Sequence, residues 1–386
     1  MQAFITQTAA FMPNQPVPNQ KIEAVLGQIG KAPSSVKDLI LQRNGIKWRY
    51  YAIDPATGKP THTNAGLTAE AIRRLAADAK LSLDDINVLA CGTSSPDQFI
   101  PNHAVMVHGL LKNAPCEVIS TAGVCCSGMT AMKYGYNAVL AGQATNSVVA
   151  GSELASASLR ASQYEIHAPQ DNANPYVGFS QEFLRFMLSD GAGAVLIENA
   201  PKRGPMALRI DWIEIRSYAN ELQPCMYSGG MKNEEGIFHG WRDVEGGVER
   251  AIREGAFNLS QDVQQLGENM VPVAGRFFEE VLRKRQFDPR EINWFLPHLS
   301  SYFFMEPIQQ QWEASGLAIP EERWFTNLKY KGNTGSASIF IMLDELMTSG
   351  KLKLGQTVLC AVPESARFSF ALMHLTAVPG ESGPVA

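Results

Sequence analysis

The chain repeats itself. Residues 84–95 read DDINVLACGTSS and residues 290–301 read REINWFLPHLSS. Ile86 and Ile292, Asn87 and Asn293, and the pairs Ser94-Ser95 and Ser300-Ser301 all stand 206 positions apart. Each block follows a stretch with helical apolar spacing. Ala71, Ile72, Leu75, Ala76 and Ala79 mark one over residues 68–80; Val273, Phe277, Phe278 and Val281 mark the other over 272–286. Each block leads on to a small-residue turn that opens a long helix, Gly123-Val124-Cys125-Cys126-Ser127-Gly128 in one case and Gly332-Asn333-Thr334-Gly335 in the other. Both helices close on Gly-Gln, at Gly142-Gln143 and Gly355-Gln356. A buried strand then follows, Ser147–Gly151 and Thr357–Val362, with one acid after each, Glu153 and Glu364. The shared order of elements predicts two similar βαβ-type halves, residues 1–200 and 201–386, each with a parallel sheet between helices. In such sheets chemistry gathers at the carboxyl ends of strands. Cys126, His298, Asn333 and the two acids fall there, and duplication sets Cys126 and Asn333 facing each other across a pseudo-dyad.

Composition narrows the class of protein. Hydrophobic residues make up 45% and charged residues 18% of the chain, which excludes a disordered chain and supplies a large core. With 33 basic and 38 acidic residues the net charge is −5, so no basic excess points to nucleic acid or an anionic membrane. No apolar run reaches the ~18 residues of a membrane span. The opening MQAFITQTAAFMPNQ lacks a basic n-region, and the six cysteines form no CxxC pair. A cytoplasmic protein with reduced thiols and neither structural zinc nor membrane insertion is expected. Irregular structure is expected over residues 53–66, 160–180 and 216–245, and a frayed tail after Val378.

Three residues carry the chemistry. Cys126 stands at the start of a helix with apolar spacing at Met129, Met132, Tyr136 and Val139. The positive end of the helix dipole lowers a thiol pKa there and favours the thiolate nucleophile. A buried structural cysteine is the other reading, and Cys125 competes, because only one of two adjacent side chains can enter a given pocket. His298 follows the strand WFLP, where it can donate to a developing oxyanion or sit as a satisfied core histidine. Asn333, in KYKGNTGSAS, is either a helix N-cap or an amide donor to the same oxyanion. The string Asp190-Gly191-Ala192-Gly193-Ala194-Val195 reads as a buried strand with glycine for close packing. The third glycine of a dinucleotide loop is absent and no Walker lysine exists.

These residues, with Arg43-Asn44-Gly45-Ile46, Thr93-Ser94-Ser95-Pro96-Asp97, Cys126-Ser127-Gly128, Asp190-Gly191-Ala192-Gly193-Ala194, Pro297-His298 and Gly332-Asn333-Thr334, run in order along nearly the whole chain. The series resembles the β-ketoacyl-acyl-carrier-protein synthase III family of condensing enzymes. The resemblance implies an α/β thiolase-like fold, a duplicated five-layer α/β/α/β/α assembly, in a homodimer. It implies an acyltransferase that condenses two acyl thioesters through an acyl-cysteine at Cys126, with His298 and Asn333 polarising the second thioester. Backbone N–H groups of Cys126 and near Ser365 would hold the first oxyanion. Arg43 would contact the nucleotide or phosphopantetheine of acyl-CoA or acyl-carrier protein, and Ile100 would close the partner's acyl pocket. No cofactor and no metal is implied.

The chain departs from the family at His298-Leu299-Ser300-Ser301, commonly His-Gln-Ala-Asn, and at Val362-Pro363-Glu364-Ser365-Ala366-Arg367, which replaces a glycine-rich turn. It is also longer, mainly between Ala155 and His298. Pro363 stiffens the altered turn. Glu364, like Glu153, is available as a base, and Arg367 as a substrate clamp; the other reading pairs Glu364 with Arg367, and makes Glu153 a buried structural acid. The variation looks most like the branch making dialkylresorcinols and cyclohexanediones. Residues 163–179 and 218–241 offer aromatic material for a roomier pocket. A medium or long acyl thioester plus a β-ketoacyl thioester, giving a cyclic diketone, is the expected pairing. The alternatives are a housekeeping 3-oxoacyl-acyl-carrier-protein synthase III and a non-catalytic partner subunit; the intact Cys126, His298 and Asn333 argue against the latter.

Overall fold

The computed structural model describes residues 1–29, 33–165, 175–316 and 318–381. The first half runs β1 (Phe4–Phe11), α1 (Asn64–Ala79), β2 (Val88–Thr93), α2 (His103–Leu111), β3 (Glu117–Ala122), α3 (Cys125–Leu140), β4 (Asn146–Glu153) and β5 (Gly191–Glu198). The second runs β6 (Met206–Ser217), α4 (Val263–Arg285), β7 (Trp294–Pro297), α5 (Met305–Ala314), α6 (Ser338–Thr348), β8 (Thr357–Glu364) and β9 (Ser369–Pro379). The sequence repeat is a repeat of boundaries: α1 and α4 end, and β2 and β7 begin, at positions shifted by 206. The counterpart of β3 in the second half is reduced to a single parallel bridge between Phe295 and Trp324.

The strands form one mixed sheet in the order β7-β8-β9-β6-β1-β5-β4-β2-β3. β3, β2 and β4 are parallel, as are β7 and β8; β5, β1, β9 and β6 pair antiparallel to their neighbours. The half-sheets meet where Phe4 pairs with Arg209 and Ile5 with Leu208. Side-chain alternation distributes the core among layers. Val148, Ala150 and Leu196 face α1 and α2 through Leu67, Ile72, Leu75 and Val107. Val149 and Val195 face the middle layer, where Met129 and Met132 of α3 and Phe340 and Leu343 of α6 also meet Val358 and Met373 of the second half. Phe277 and Phe278 of α4 and Trp312 of α5 cover Phe295, Leu359 and Leu372 on the far face. Helix, sheet, helix, sheet, helix: the five layers are those of a thiolase-like fold. β4 and β5 are buried along their full length, as strands covered on both faces must be.

Glycine lets the middle layer close. A Cβ at Gly128 of α3 would lie 2.5 Å from the Ser336 carbonyl oxygen, and one at Gly151 of β4 would lie 2.4 Å from the same atom. A Cβ at Gly193 would meet that of Phe340 at 2.5 Å, so the Asp190–Val195 segment is a close-packed strand start and not a phosphate loop.

Several boundaries differ from expectation. α1 begins inside the stretch read as irregular, because the Thr63 hydroxyl accepts from the Gly66 N–H and caps it. α4 begins at Val263, well before the apolar run, because Asp262 accepts from the Gln265 N–H at 3.0 Å and Leu266 and Met270 extend the buried face past Pro272. Of residues 160–180, Ala161–Glu165 and Pro175 onward are helical, and 166–174 lie outside the described residues. Residues 216–245 hold a short antiparallel pair, Gly230–Lys232 with Phe238–Gly240. β9 carries the chain to Pro379, past the point where fraying was expected; residues 382–386 lie outside the described residues. No helix among the described residues is long and apolar enough to cross a membrane.

Candidate active site

The carboxyl ends of β2, β4, β7 and β8 open on a cavity of about 540 Å³. Cys125, Glu153, His298, Asn333 and Ser365 line it, and Leu184, Met187, Met226, Leu259, Leu266 and Met270 give it an apolar wall.

The cysteine pair opens α3, and successive residues on a helix diverge by about 100°. Cys125 turns into the cavity. Both cysteines touch the middle layer, but Cys126 turns away from the cavity, its Sγ 3.2 Å from the Val362 carbonyl oxygen and 3.6 Å from that of Ser369, on β8 and β9. The expectation that Cys126 faces the substrate pocket is therefore corrected. So is its lowered pKa. Burial pushes both thiols well up, and the Glu364 carboxylate pushes each further; Glu153 adds to the effect on Cys125. Desolvation is the largest cause for both.

Glu364 supplies the reason. Its Oε2 accepts hydrogen bonds from the Val124 and Cys126 N–H groups, both at 2.9 Å. The Cys126 N–H, expected to hold a substrate oxyanion, already serves this carboxylate. Glu364 is buried beneath the start of α3 and does not line the cavity, and burial raises its pKa against the lowering by those two N–H groups. Arg367 is exposed, and its Nε donates to the Leu222 carbonyl at 3.0 Å. It neither pairs with Glu364 nor reaches the cavity. The β8–β9 loop turns it outward: Phe368 adopts a φ of +56° and buries its ring, leaving Arg367 on the surface. Ser365 stays in the cavity wall, 3.4 Å from Gln261 Oε1.

Glu153 is saturated with donors. Oε2 accepts from the Ser94 and Ser95 hydroxyls at 2.6 and 2.7 Å, and Oε1 from the Ser94 and Ser336 N–H groups, both at 3.2 Å. Burial raises its pKa; the serine hydrogen bonds oppose this. The geometry is that of a structural tie, the second of the two readings made from sequence.

His298 continues the β7–β8 pairing through its N–H, 2.8 Å from the Ala361 carbonyl. Its ring is buried, and burial lowers its pKa to about 4, so it is neutral at neutral pH. Neither ring nitrogen has a hydrogen-bond partner among the described residues. Asn333 is fixed in orientation. Its Oδ1 accepts from the Gly335 N–H at 2.9 Å, which leaves the NH₂ end as donor, and its backbone bonds Met187 and Ser189. Gly332 makes that approach possible: with φ +73°, a Cβ there would lie 2.8 Å from Ser189 Cβ.

Arg43 is exposed on the helix Lys37–Asn44, outside the cavity lining. Ile100 is 88% exposed, beside Phe99, which lines the mouth. Sequence reasoning missed Asp97, whose two oxygens accept from Asn64 and Ala65 N–H at 2.7 and 2.9 Å and tie the mouth to α1. Its signal is the Thr93–Asp97 string, where an Asp just past a strand end can accept from the N–H groups of a neighbouring helix start. The aromatic lining expected from 218–241 is not there: Met226, Ser228 and Gly229 represent that segment, and part of 163–179 lies outside the described residues. Among the described residues no cluster of three His, Cys, Asp or Glu side chains is placed to hold a metal.

Residues 57–177 match the thiolase N-terminal domain, and residues 282–362 match the C-terminal domain of 3-oxoacyl-[acyl-carrier-protein] synthase III. Curated relatives include β-ketoacyl-[acyl-carrier-protein] synthase III of Chlorobaculum tepidum, 24% identical over 93% of this chain and 94% of that protein. The chain belongs to the thiolase-fold family of β-ketoacyl-acyl-carrier-protein synthase III-like condensing enzymes. Within this fold its likenesses reach beyond synthase III itself. AbyA1, a tetronic acid condensing enzyme, superposes with a TM-score of 0.74 at 18% identity, over 97% of this chain and 99% of that one. Xanthomonas campestris OleA, solved as a cysteine-to-serine variant with lauric acid and lauroyl-CoA, gives 0.74 at 17% identity over the same shares. The synthase III of Aquifex aeolicus gives 0.69 at 20%, again over 97% and 99%. At these identities the likeness is one of fold.

Proposed function

We propose that this condensing enzyme joins two acyl thioesters by Claisen condensation through an acyl-cysteine. The observation that carries the reading is the convergence of a helix-start thiol, a neutral His298 and an oriented Asn333 amide on one apolar cavity. One thioester transfers its acyl group to the thiol. The second enters on its pantetheine arm, from CoA or acyl-carrier protein, with its carbonyl oxygen toward His298 and the Asn333 NH₂ group. A neutral imidazole and an amide are donors that favour the enolate over the ground-state carbonyl. The enolate carbon attacks the acyl-cysteine carbonyl, the carbon–sulfur bond breaks, and the thiol is restored by a proton. Loss of CO₂ from a malonyl-type donor supplies the carbanion without a base. A β-ketoacyl donor instead gives up its C2 proton, and Glu153, hydrogen-bonded but in the cavity lining, is the candidate base.

The apolar wall of Leu184, Met187, Met226, Leu259, Leu266 and Met270 favours a medium or long acyl chain as the first substrate. Of the altered Val362–Arg367 turn, Pro363 and Ser365 line the cavity; on these two we extend the reading to specialised lipid or polyketide biosynthesis of the dialkylresorcinol type, with a β-ketoacyl thioester as partner and a cyclic diketone as product. The active unit is a homodimer. The test compares acetyl-CoA plus malonyl-acyl-carrier protein with dodecanoyl-CoA plus a β-ketoacyl thioester, products read by mass spectrometry. Turnover of the second pair supports the reading. Turnover of the first alone returns the protein to fatty-acid initiation, and turnover of neither removes the condensing activity.

A further inference from the structure

Two adjacent cysteines open α3, and the motif read from sequence, Cys126-Ser127-Gly128, selects the second. We infer that the acyl group is carried by Cys125 and that Cys126 is a core residue; this rests on the condensing reading above and assigns its nucleophile. Three observations converge. Cys125 is in the cavity lining with His298, Asn333 and Ser365, and Cys126 is not. Cys126 Sγ is enclosed between β8 and β9, at donor distance from the Val362 and Ser369 carbonyl oxygens. A thioester sulfur has no proton to donate, so acylation there would set sulfur lone pairs against two carbonyl oxygens and force an acyl chain between paired strands. Finally, the amides on either side of Cys125, those of Val124 and Cys126, both bond Glu364. That carboxylate fixes the backbone on both flanks of Cys125 and so holds the orientation that sends one thiol to the cavity and the other to the core.

The step balances simply. The Cys125 Sγ–H bond and the donor's carbonyl-carbon-to-sulfur bond break. A new Sγ–carbonyl bond forms, and the thiol proton leaves with the released carrier thiol.

The test incubates wild-type protein, Cys125→Ala and Cys126→Ala with dodecanoyl-CoA and maps the added mass by peptide sequencing. A parallel limited alkylation with iodoacetamide, which needs no turnover, reads thiol access directly. One acyl mass and the first alkyl mass are expected on Cys125. Cys126→Ala should keep its acyl label and lose no more than about tenfold in rate, as expected of a small core truncation. Cys125→Ala should lose the label and at least about 10³-fold in turnover. Acyl mass on Cys126 overturns the assignment and leaves the condensing function standing. No acyl mass on any cysteine, with dodecanoyl-, hexanoyl- and acetyl-CoA, overturns both. Circular dichroism of each variant excludes misfolding as the cause of a lost label. Should Cys126→Ala fail to fold, Cys126→Ser preserves a hydroxyl donor to Val362 and Ser369 and repeats the test.

Discussion

Glu153 and Glu364 each cap the helix that belongs to the other half. Glu153 ends β4 of the first half and accepts from the Ser336 N–H, in the 3₁₀ turn that leads into α6 of the second. Glu364 ends β8 of the second half and accepts from the Val124 and Cys126 N–H groups, at the start of α3 of the first. A carboxylate at a helix N-terminus is favoured by unpaired amides and dipole alike. Here the exchange across the pseudo-dyad ties the two central helices to opposite sheets. It also fixes the two elements on which the reaction depends, the cysteine turn and the Asn333 loop.

Removing the charge of Glu364 should free the thiols. Glu364→Gln keeps an acceptor for the two amides but loses the negative charge that, after burial, contributes most to raising Cys125. Its Cys125 should alkylate faster at neutral pH, with the rate–pH curve displaced to lower pH. Glu364→Ala orphans the buried Cys126 amide and the part-buried Val124 amide and should destabilise the fold by about 1–3 kcal/mol. Iodoacetamide rates against pH, and thermal melts, separate the effects. An unchanged rate–pH curve in the Gln variant would show that the charge does not reach the thiol.

How much of this was legible in the sequence follows from which signals are local. The 206-residue offset gave both halves and the strand-end positions, and the repeated order of elements gave the acids, 211 residues apart, because a duplicated backbone repeats its boundaries. It could not say that Glu153 and Glu364 exchange partners, since Ser336 and Val124 lie 183 and 240 residues away in the chain. Nor could it choose between Cys125 and Cys126. That choice turns on about 100° of helix phase, which depends on where α3 starts, and α3 starts at Cys125 because a distant carboxylate caps it. Arg367 was misplaced for a similar reason: its direction is set by Phe368 in the left-handed region, a conformation that Phe does not advertise.

His298 and Asn333 should act on the second substrate. His298→Ala and Asn333→Ala should still take one acyl group but fail to condense, each losing about 10²–10³ in rate as one oxyanion donor disappears. Acylation by quenched mass spectrometry and condensation by product formation measure the two steps separately. An acylation defect as deep as the condensation defect would mean that these side chains serve the first step too.

The buried neutral imidazole should leave a signature in stability. Its folded pKa, about 4, is below the ordinary value of 6.5. Between these values the unfolded chain binds a proton that the folded protein does not, so stability falls as pH drops through that window and is flat above it. The size of the effect is on the order of 3 kcal/mol. His298→Gln removes it, so the melting temperature of wild type minus that of the variant should shrink from pH 7 to pH 4. Asp190, raised to about 6, titrates oppositely but is common to both proteins and cancels in the difference. A difference independent of pH would mean that the ring is solvated.

Gly151 should tolerate no side chain. Its Cβ would lie 2.4 Å from the Ser336 carbonyl and 2.8 Å from the Phe340 ring, and the first contact is backbone that the Glu153 bond holds in place. Gly151→Ala should cost about 1–3 kcal/mol or prevent folding. Gly109→Ala on α2, with open space around it, should be stabilising or neutral by comparison. Thermal melts of the pair decide it, and equal stabilities would mean that α6 can shift.

The edge of the sheet should be the dimer interface. β3 is the terminal strand, and its residues are only half-buried along most of their length, unlike the fully buried β2 and β4 beside it. An edge strand offers a row of backbone donors and acceptors to another chain. The helices packed against it expose apolar side chains, Val105 and Leu110 of α2 and Tyr134 of α3, and Phe99 and Ile100 at the cavity mouth are 82% and 88% exposed. Such a surface is expected to pair with its copy, and an obligate interface of this kind buries more than about 2,000 Å² in total. Light scattering should give twice the 42.2 kDa chain mass at micromolar concentration. Replacing Ser120 by Pro removes an N–H that faces the open edge, because the Glu117 N–H donates inward to Asn87 and the N–H direction alternates along a strand; it should yield monomer with reduced turnover if Phe99 and Ile100 complete the partner's cavity. A stable wild-type monomer would place those two side chains in solvent and leave the mouth of the cavity as it stands in one chain.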